Sequence, residues 1–155
     1  MATTISNASL TVTVSEQIIL NGQPINSENQ LVIPNINEVS KRIVTIPITA
    51  EASIALFGSV VAAGTFIAAN VKYIRITNKD DTNFCRIRVT RNLFPSSAEG
   101  TFDIRLDAGK TFIMGNTKES ASTTTSPFSS FVDMSSIIGQ ADTANVDLEV
   151  FIASI

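Results

Sequence analysis

The sequence predicts an all-β protein, an antiparallel β-sandwich of the jelly-roll type with about eight to ten short strands. Isoleucine, valine and threonine, whose branched side chains favour strands over helices, contribute 20, 12 and 17 of the 155 residues. Apolar and polar residues alternate along many short runs, and turn-forming residues separate these runs. At this length we expect a single domain spanning residues 1–155.

The first predicted strand and turn lie near the start of the chain. In "SLTVTVS", Leu10, Val12 and Val14 point to one face and the threonines to the other, as in a half-buried strand. The dipeptide Asn21-Gly22 follows a second apolar run. Both of its residues tolerate positive φ, so it predicts a hairpin turn.

The next two segments read as an edge strand and a pair of buried strands. In "RIVTIPIT", Val44 and Ile46 share a face, and Pro47 cannot donate to a neighbouring strand, which indicates a free edge. The segment 52–69 is the most apolar of the chain. Glycine, serine and threonine interrupt it and basic anchors do not flank it, so we expect buried strands with a glycine-containing connection, not a membrane span.

The second half of the chain supplies the remaining predicted strands and one predicted helical turn, "SSIIGQ" (135–140). The strands are "VKYIRIT" (71–77), "FCRIRVTR" (84–91), "TFDIRLD" (101–107), "KTFIMG" (110–115) and "VDLEVFIAS" (146–154). Residues 1–9 are small and polar, and we expect them to be flexible. Residues 116–131 are rich in serine and threonine without any period, which is typical of an exposed loop or arm.

The densest polar cluster is "NKDDTN", residues 78–83, in which Asp80, Asp81 and Asn83 offer oxygen ligands. Calcium requires six to eight oxygens at defined spacing, and the segment has neither the Asp-x-Asp-x-Asp-Gly order nor a later glutamate. Asn and Asp also form turns by bonding to their own backbone. We therefore predict the tip of a hairpin between two paired strands, with no metal.

A charged face is predicted beside this hairpin. If its strands pair, Arg75, Arg86 and Arg88 share one polar face, and Asp103 and Arg105 on a third strand would extend it as a ladder. The simpler interpretation is a solvated face of weak ion pairs, each worth about 0–1 kcal/mol. The alternative is a subunit-contact face, because arginine is enriched at interfaces.

Catalytic chemistry has little basis in this sequence, and we predict no catalytic, cofactor-binding or metal residues. Histidine is absent, which removes Ser-His-Asp and Cys-His catalysis and histidine-based zinc sites. Cys85 alternates with Ile87 and Val89 and should point into the core as a small apolar residue. "AGKT" (108–111) lacks the first glycine of a phosphate-binding loop and predicts a tight turn.

Charge and composition exclude further partner classes. A net charge of −3 gives no overall basic field for nucleic acid, and the arginines have few aromatic neighbours.

The start of the chain lacks the basic and apolar regions of a signal peptide. Only 16% of residues are charged, which fits a protein whose faces are covered by copies of itself or by partners.

Several stretches also resemble a known group of proteins. "GTFIAANVKYIRITNKDDTNFCRIRV", "DIRLDAGKTFIMG" and "SSFVDMSSIIGQADTANVDLEVFIAS" resemble small β-sandwich virion structural proteins of tailed phages, especially marine phages. The resemblance covers most of the chain from about residue 15 and includes no catalytic motif. It implies a non-enzymatic capsid decoration or cement protein that binds itself and the major capsid protein, located in the virion after assembly in the host cytoplasm.

Two other functions stay open at this point. One is a tail or fibre component that binds a receptor or carbohydrate, and the other is a hydrolase of unknown type. The resemblance further implies a homo-oligomer, with a trimer as the expected form. Phe128 and Phe131 are then the apolar anchors by which the Ser/Thr-rich loop would contact another subunit.

Overall fold

The computed structural model describes residues 7–60, 62, 64–91, 100–119 and 131–155, and within them the chain forms twelve strands. The first six strands are β1 (Ala8–Leu20), β2 (Gln23–Ile36), β3 (Glu38–Ile46), β4 (Ala52–Gly58), β5 (Thr65–Ile67) and β6 (Val71–Asn78). The other six are β7 (Cys85–Arg91), β8 (Gly100–Leu106), β9 (Thr111–Met114), β10 (Lys118–Glu119), β11 (Val132–Ala141) and β12 (Val146–Ser154). One 3-10 turn, Ala68–Asn70, joins β5 to β6.

Two sheets packed face to face form the body. The four-stranded sheet has the order β3-β12-β6-β9, and the larger sheet has the order β5-β4-β11-β7-β8, with β10 pairing β11. Without the short strands β5 and β10, the orders 3-12-6-9 and 4-11-7-8 are those of a jelly roll. The predicted all-β sandwich is therefore confirmed.

The number of strands is larger than predicted, because two strands are too short to show a period and one was misread. β5 and β10 have three and two residues. The segment "SSIIGQ", predicted as a helical turn, lies inside β11, a central strand of the larger sheet. The strand was not predicted because glycine occupies one of its inward positions, at Gly139, where an apolar residue would complete the alternation. A Cβ at this position would approach Ile54 Cδ1 to 3.0 Å and Cys85 Sγ to 3.3 Å, so the inward position has little room for a side chain.

The core lies between the inner faces of the two sheets, where the predicted alternation places it. From β12 it takes every second residue, Val146, Leu148, Val150 and Ile152, all fully buried. From β7 it takes Cys85, Ile87 and Val89, again as predicted. Segment 52–69 contributes β4 and β5, a parallel pair whose connection contains Gly64 at φ 76°.

The connection 79–84 crosses from one sheet to the other, so the predicted hairpin between β6 and β7 is wrong. β6 belongs to the four-stranded sheet and β7 to the larger sheet. Asn78, the last residue of β6, is fully buried beside this crossing. Its Nδ2 donates to the carbonyl oxygens of Asn83 at 2.9 Å and Leu106 at 3.1 Å, and its Oδ1 accepts from the Asp80 amide at 2.9 Å. One side chain thereby ties both sheets to the crossing.

The first two strands form a long hairpin, which we call the arm (residues 8–36). The predicted turn is confirmed: Asn21 and Gly22 have φ values of 50° and 78°. β1 pairs with β2 along almost its whole length, and no other described strand pairs with either. The arm is therefore a separate two-stranded sheet.

The segments predicted as a flexible end and as an exposed loop both contain residues of regular or buried structure. Ala8 and Ser9, within the expected flexible segment 1–9, belong to β1. Thr117, within the expected loop 116–131, is buried, and its hydroxyl donates to the Ala68 carbonyl at 2.8 Å. Residues 120–130, including Phe128, lie outside the described residues. Within the described parts of the chain, no helix is long and apolar enough to cross a membrane.

Removal of the Asn78 side chain should destabilise the fold. Asn78→Ala eliminates three hydrogen bonds made by a fully buried side chain, one of them to the carbonyl of buried Leu106, so we expect a loss of about 2–4 kcal/mol in the free energy of unfolding. Urea denaturation followed by circular dichroism measures it. The control Asn26→Ala, on the exposed arm, should change the value by about 0.5 kcal/mol or less. Equal unfolding midpoints for both variants would contradict the role assigned to Asn78.

Candidate interaction surfaces

Arg86 and Arg88 lie on the outer face of the larger sheet, where acidic side chains surround them. Arg88 Nε and Nη2 donate to the two carboxylate oxygens of Asp103 at 2.8 and 2.9 Å, and Arg88 Nη1 donates to Glu51 at 2.8 Å. Arg86 also donates to Glu51, and to Gln140 Oε1 at 2.8 Å. We call Glu51, Arg86, Arg88 and Asp103 the ion-pair cluster.

The ion-pair cluster is balanced within the chain, with two guanidinium groups against two carboxylates. Hydrogen bonds from Arg88 hold the pKa of Asp103 below its ordinary value, and those same bonds raise the pKa of Arg88. Both side chains remain partly exposed, so each pair adds only modestly to stability. This geometry fits the simpler interpretation of a solvated, paired face. The subunit-contact role of these residues stays a prediction.

Arg75 does not join this face, and the predicted three-strand grouping is wrong in that respect. Because the connection 79–84 crosses between the sheets, Arg75 lies on the outer face of the four-stranded sheet. There it donates to Glu149 and, at 2.6 Å, to the Thr77 hydroxyl. The bond from Arg75 holds the pKa of Glu149 below its ordinary value.

Arg105 stays beside the cluster, as the ladder prediction required. It lies opposite Arg86 in the pairing of β8 with β7. Its Nε donates to Asp107 at 2.7 Å, and its guanidinium carbon lies 4.0 Å from the centre of the Phe84 ring, a cation–π contact. The ladder thus spans β7 and β8, and Gln140 of β11 replaces the expected contribution from β6.

In the connection 79–84, the Asp80 carboxylate accepts hydrogen bonds from the backbone of the same connection. Asp80 Oδ1 accepts from the amides of Thr82 at 2.8 Å and Asn83 at 2.6 Å, and from Asn83 Nδ2 at 3.2 Å. Hydrogen bonds from the Asn83 and Thr82 amides lower the pKa of Asp80. In the described ranges of the chain, no three His, Cys, Asp or Glu residues are grouped as a metal site would require.

Cys85 has the environment of an apolar core residue. It is completely buried beneath the outer ion-pair cluster. Burial raises the pKa of its thiol to about 11, so the thiolate that nucleophilic chemistry requires is disfavoured at neutral pH.

The arm carries an apolar surface that the sequence analysis did not identify. Directly opposed residues of a hairpin share a face, so Leu10 with Ile33, Val12 with Leu31, and Ile18 with Ile25 line one side of the arm. This side packs against the body only near its base. There, Leu10, Val12 and Ile33 join a small cluster with Ile36, Tyr73, Phe151 and Ala153.

Beyond its base the arm exposes large apolar side chains. Ile18, Ile25 and Leu20 are 53%, 56% and 54% exposed, and Ile19 on the other side is 76% exposed. Only two charged residues, Glu16 and Glu28, occur between residues 8 and 36. That scarcity of charge, together with the "IIL" run beside the turn, was the signal available in the sequence.

Phe131, one of the two predicted anchors, is also on the surface. Its side chain is 59% exposed immediately before β11. Its predicted role in contacting a second subunit is compatible with this position and stays a prediction.

Changes at Asp80 should affect stability in a pH-dependent way. We expect Asp80→Ala to lower Tm at neutral pH, and Asp80→Asn, which keeps an acceptor oxygen, to lower it less. Because folding lowers the Asp80 pKa from 3.8, its stabilising effect is present above that value and is lost as pH falls through the folded-state pKa. The difference in Tm between Asp80→Ala and the parent protein should therefore shrink below pH 3.8 in scanning calorimetry.

The same loop gives a check on metal binding. A calcium chelator should leave the parent Tm unchanged, because two backbone amides already bond to Asp80 Oδ1 and the described residues contain no group of three potential metal ligands. A clear decrease in Tm on chelation would contradict this account of the loop.

Comparison with known proteins gives no match: no family model matches the chain, and no curated protein or solved structure is significantly similar to it.

Proposed function

We propose that this chain is a non-enzymatic structural protein of a phage particle, in the first place a capsid decoration or cement protein that binds itself and the capsid. The arm is the observation that carries the proposal. A two-stranded hairpin is at best marginally stable alone in water, and this one extends 13 and 14 residues with apolar side chains exposed on both sides. Such a surface is typical of a protein–protein contact.

The edges of the arm support an assembly role. Free strands are usually protected from pairing by lysine or other charges, and along both strands the arm has no lysine or arginine and only two charged residues, Glu16 and Glu28. Its backbone groups are thus accessible to a partner as well as its side chains. A protein that acts alone in solution would gain nothing from this exposure.

The composition and the fold are consistent with this function. The charged fraction of 16% is low, and the arginines of the ion-pair cluster are paired inside the chain, so the exposed apolar side chains of the arm are the surface that we expect a partner to cover. Jelly rolls occur in viral capsid proteins, although the fold alone does not establish function. The resemblance to virion proteins of tailed phages points in the same direction.

Carbohydrate recognition by a tail or fibre component has less support. Sugar-binding sites commonly stack aromatic rings on the sugar. The sequence has no tryptophan, and its single tyrosine, Tyr73, is buried under the base of the arm.

Quantitative mass spectrometry of purified particles tests the proposal. A decoration protein covers a symmetric shell, so we expect on the order of hundreds of copies per particle. A copy number of about a dozen or fewer would indicate a tail component instead. Absence of the chain from purified particles would overturn the proposed function.

A further inference from the structure

We infer that the tip of the arm docks on the outer face of the four-stranded sheet of a second copy of this chain. The inference deepens the proposed function and rests on its self-assembly component. It assigns both halves of the contact: Ile18, Leu20 and Ile25 on the arm, and Val39, Ile43 and Ile113 on the receiving sheet.

The arm cannot cover its own tip. Its apolar side contacts the body at Leu10 and Val12, and from Val12 to Leu20 the strand extends roughly 26 Å at about 3.3 Å per residue. The exposed fractions of Ile18, Leu20 and Ile25 all exceed one half, so this part does not lie on the chain's own sheet. The tip therefore has the same apolar side as the base, but no surface of its own chain packs against it.

The receiving face is defined by the strand register. Lys41, Phe151, Arg75 and Ile113 follow one another across β3, β12, β6 and β9. Val39 and Ile43 flank Lys41 on the same side of the edge strand β3. Val39, Ile43 and Ile113 are 53%, 56% and 45% exposed, which is unusual for three large apolar side chains on one sheet face.

The chain already shows that this face accepts the arm. At the base, Leu10 and Val12 pack beside Tyr73 and Phe151, two outward residues of the same sheet, whose rings meet edge to face at 6.0 Å. The tip continues that apolar side with similar residues. On a second copy the middle of this face is covered by that copy's own arm base, while Val39, Ile43 and Ile113 on the flanking strands β3 and β9 stay exposed beside it.

The docking side of the arm supplies more than half of the area of a specific contact. Its apolar side chains (Val14, Ile18, Leu20, Ile25, Leu31) together expose on the order of 500 Å², against the roughly 800 Å² that each partner contributes to a standard interface.

Charge also favours this pairing over a fully apolar partner. The arm carries Glu16 and Glu28 and no basic residue. The receiving face carries Lys41, whose side chain is 63% exposed and lies 3.8 Å from Glu149, a carboxylate that is bonded more closely by Arg75. Lys41 can therefore pair with a glutamate of the incoming arm.

Mixed cysteine cross-linking tests the assignment directly. Ile18→Cys and Ile43→Cys are made in separate chains, mixed and oxidised, so that any disulfide between the two new cysteines joins different copies. The natural Cys85 is completely buried in both chains and supplies a common background. We expect a disulfide-linked dimer from this mixture. A matched control replaces Ile18→Cys by Gln17→Cys, which points to the opposite side of the arm, and should yield clearly less dimer.

A second variant keeps the inference testable if cross-linking disturbs the arm. Ile18→Ser with Ile25→Ser should weaken self-association about tenfold or more in analytical ultracentrifugation, because two exposed apolar anchors are lost. Gln17→Ser with Gln30→Ser, which changes two polar residues on the opposite side of the arm, is the control and should leave self-association unchanged. The β signal in circular dichroism should be equal in both variants.

The outcomes separate the inference from the proposed function. The docking assignment would be overturned if the protein forms oligomers but the Ile18→Cys and Ile43→Cys chains form no disulfide. It would also be overturned if the Ile18→Ser, Ile25→Ser variant self-associates as strongly as the parent protein. A parent protein that remains monomeric at high concentration would overturn it as well. Neither result changes the copy number of the chain in purified particles, which decides the proposed function independently.

Discussion

The contact between the inner faces of the two sheets is the constraint on which the rest of the structure depends. Because alternate residues of each strand must enter this core, the intervening residues are fixed on the outer faces. This places the ion-pair cluster on one outer face and Arg75 with Glu149 on the other. Gly139 leaves room in this core for the side chains of Ile54 and Cys85, and Asn78 holds the crossing between the sheets. The surface chemistry is a consequence of this interior arrangement.

The alternation of apolar and polar residues predicts which side chains point into the core. It does not predict to which of the two sheets a strand belongs. The inward positions of Cys85, Ile87 and Val89 follow from a period of two. The same period cannot tell whether a polar connection turns back as a hairpin or crosses to the opposite sheet, since Asn and Asp serve both. The separation of Arg75 from Arg86 was unpredictable for this reason. The strand around Gly139 was missed because its inward position holds a glycine where an apolar side chain was expected.

The two candidate surfaces differ in what they leave unsatisfied. In the ion-pair cluster, Glu51 and Asp103 neutralise Arg86 and Arg88, and solvent screens what remains. On the arm, the side chains of Ile18 and Ile25 oppose each other beyond the base of the hairpin, and more than half of the surface of each stays exposed. From the sequence, the charged residues are the more obvious candidates for a contact surface. The alternation of Leu10, Val12 and Val14 predicts a half-buried strand, but it does not indicate which surface the strand packs against. Burial of apolar surface is the dominant driving force in most protein association, and the arm exposes such surface whereas the ion-pair cluster does not.

The position of β12 has a consequence for how the protein reaches this structure. β12 is the last strand of the chain, yet it lies in the interior of the four-stranded sheet between β3 and β6, so Val146 pairs with Ile46 across a hundred residues of sequence. Such long-range pairing slows folding. The arm, closed by a local turn, can form on the microsecond timescale of hairpins. During biosynthesis a hairpin with exposed apolar side chains is thus present well before the four-stranded sheet is complete, and the yield of folded protein should depend on how well this interval is protected from aggregation.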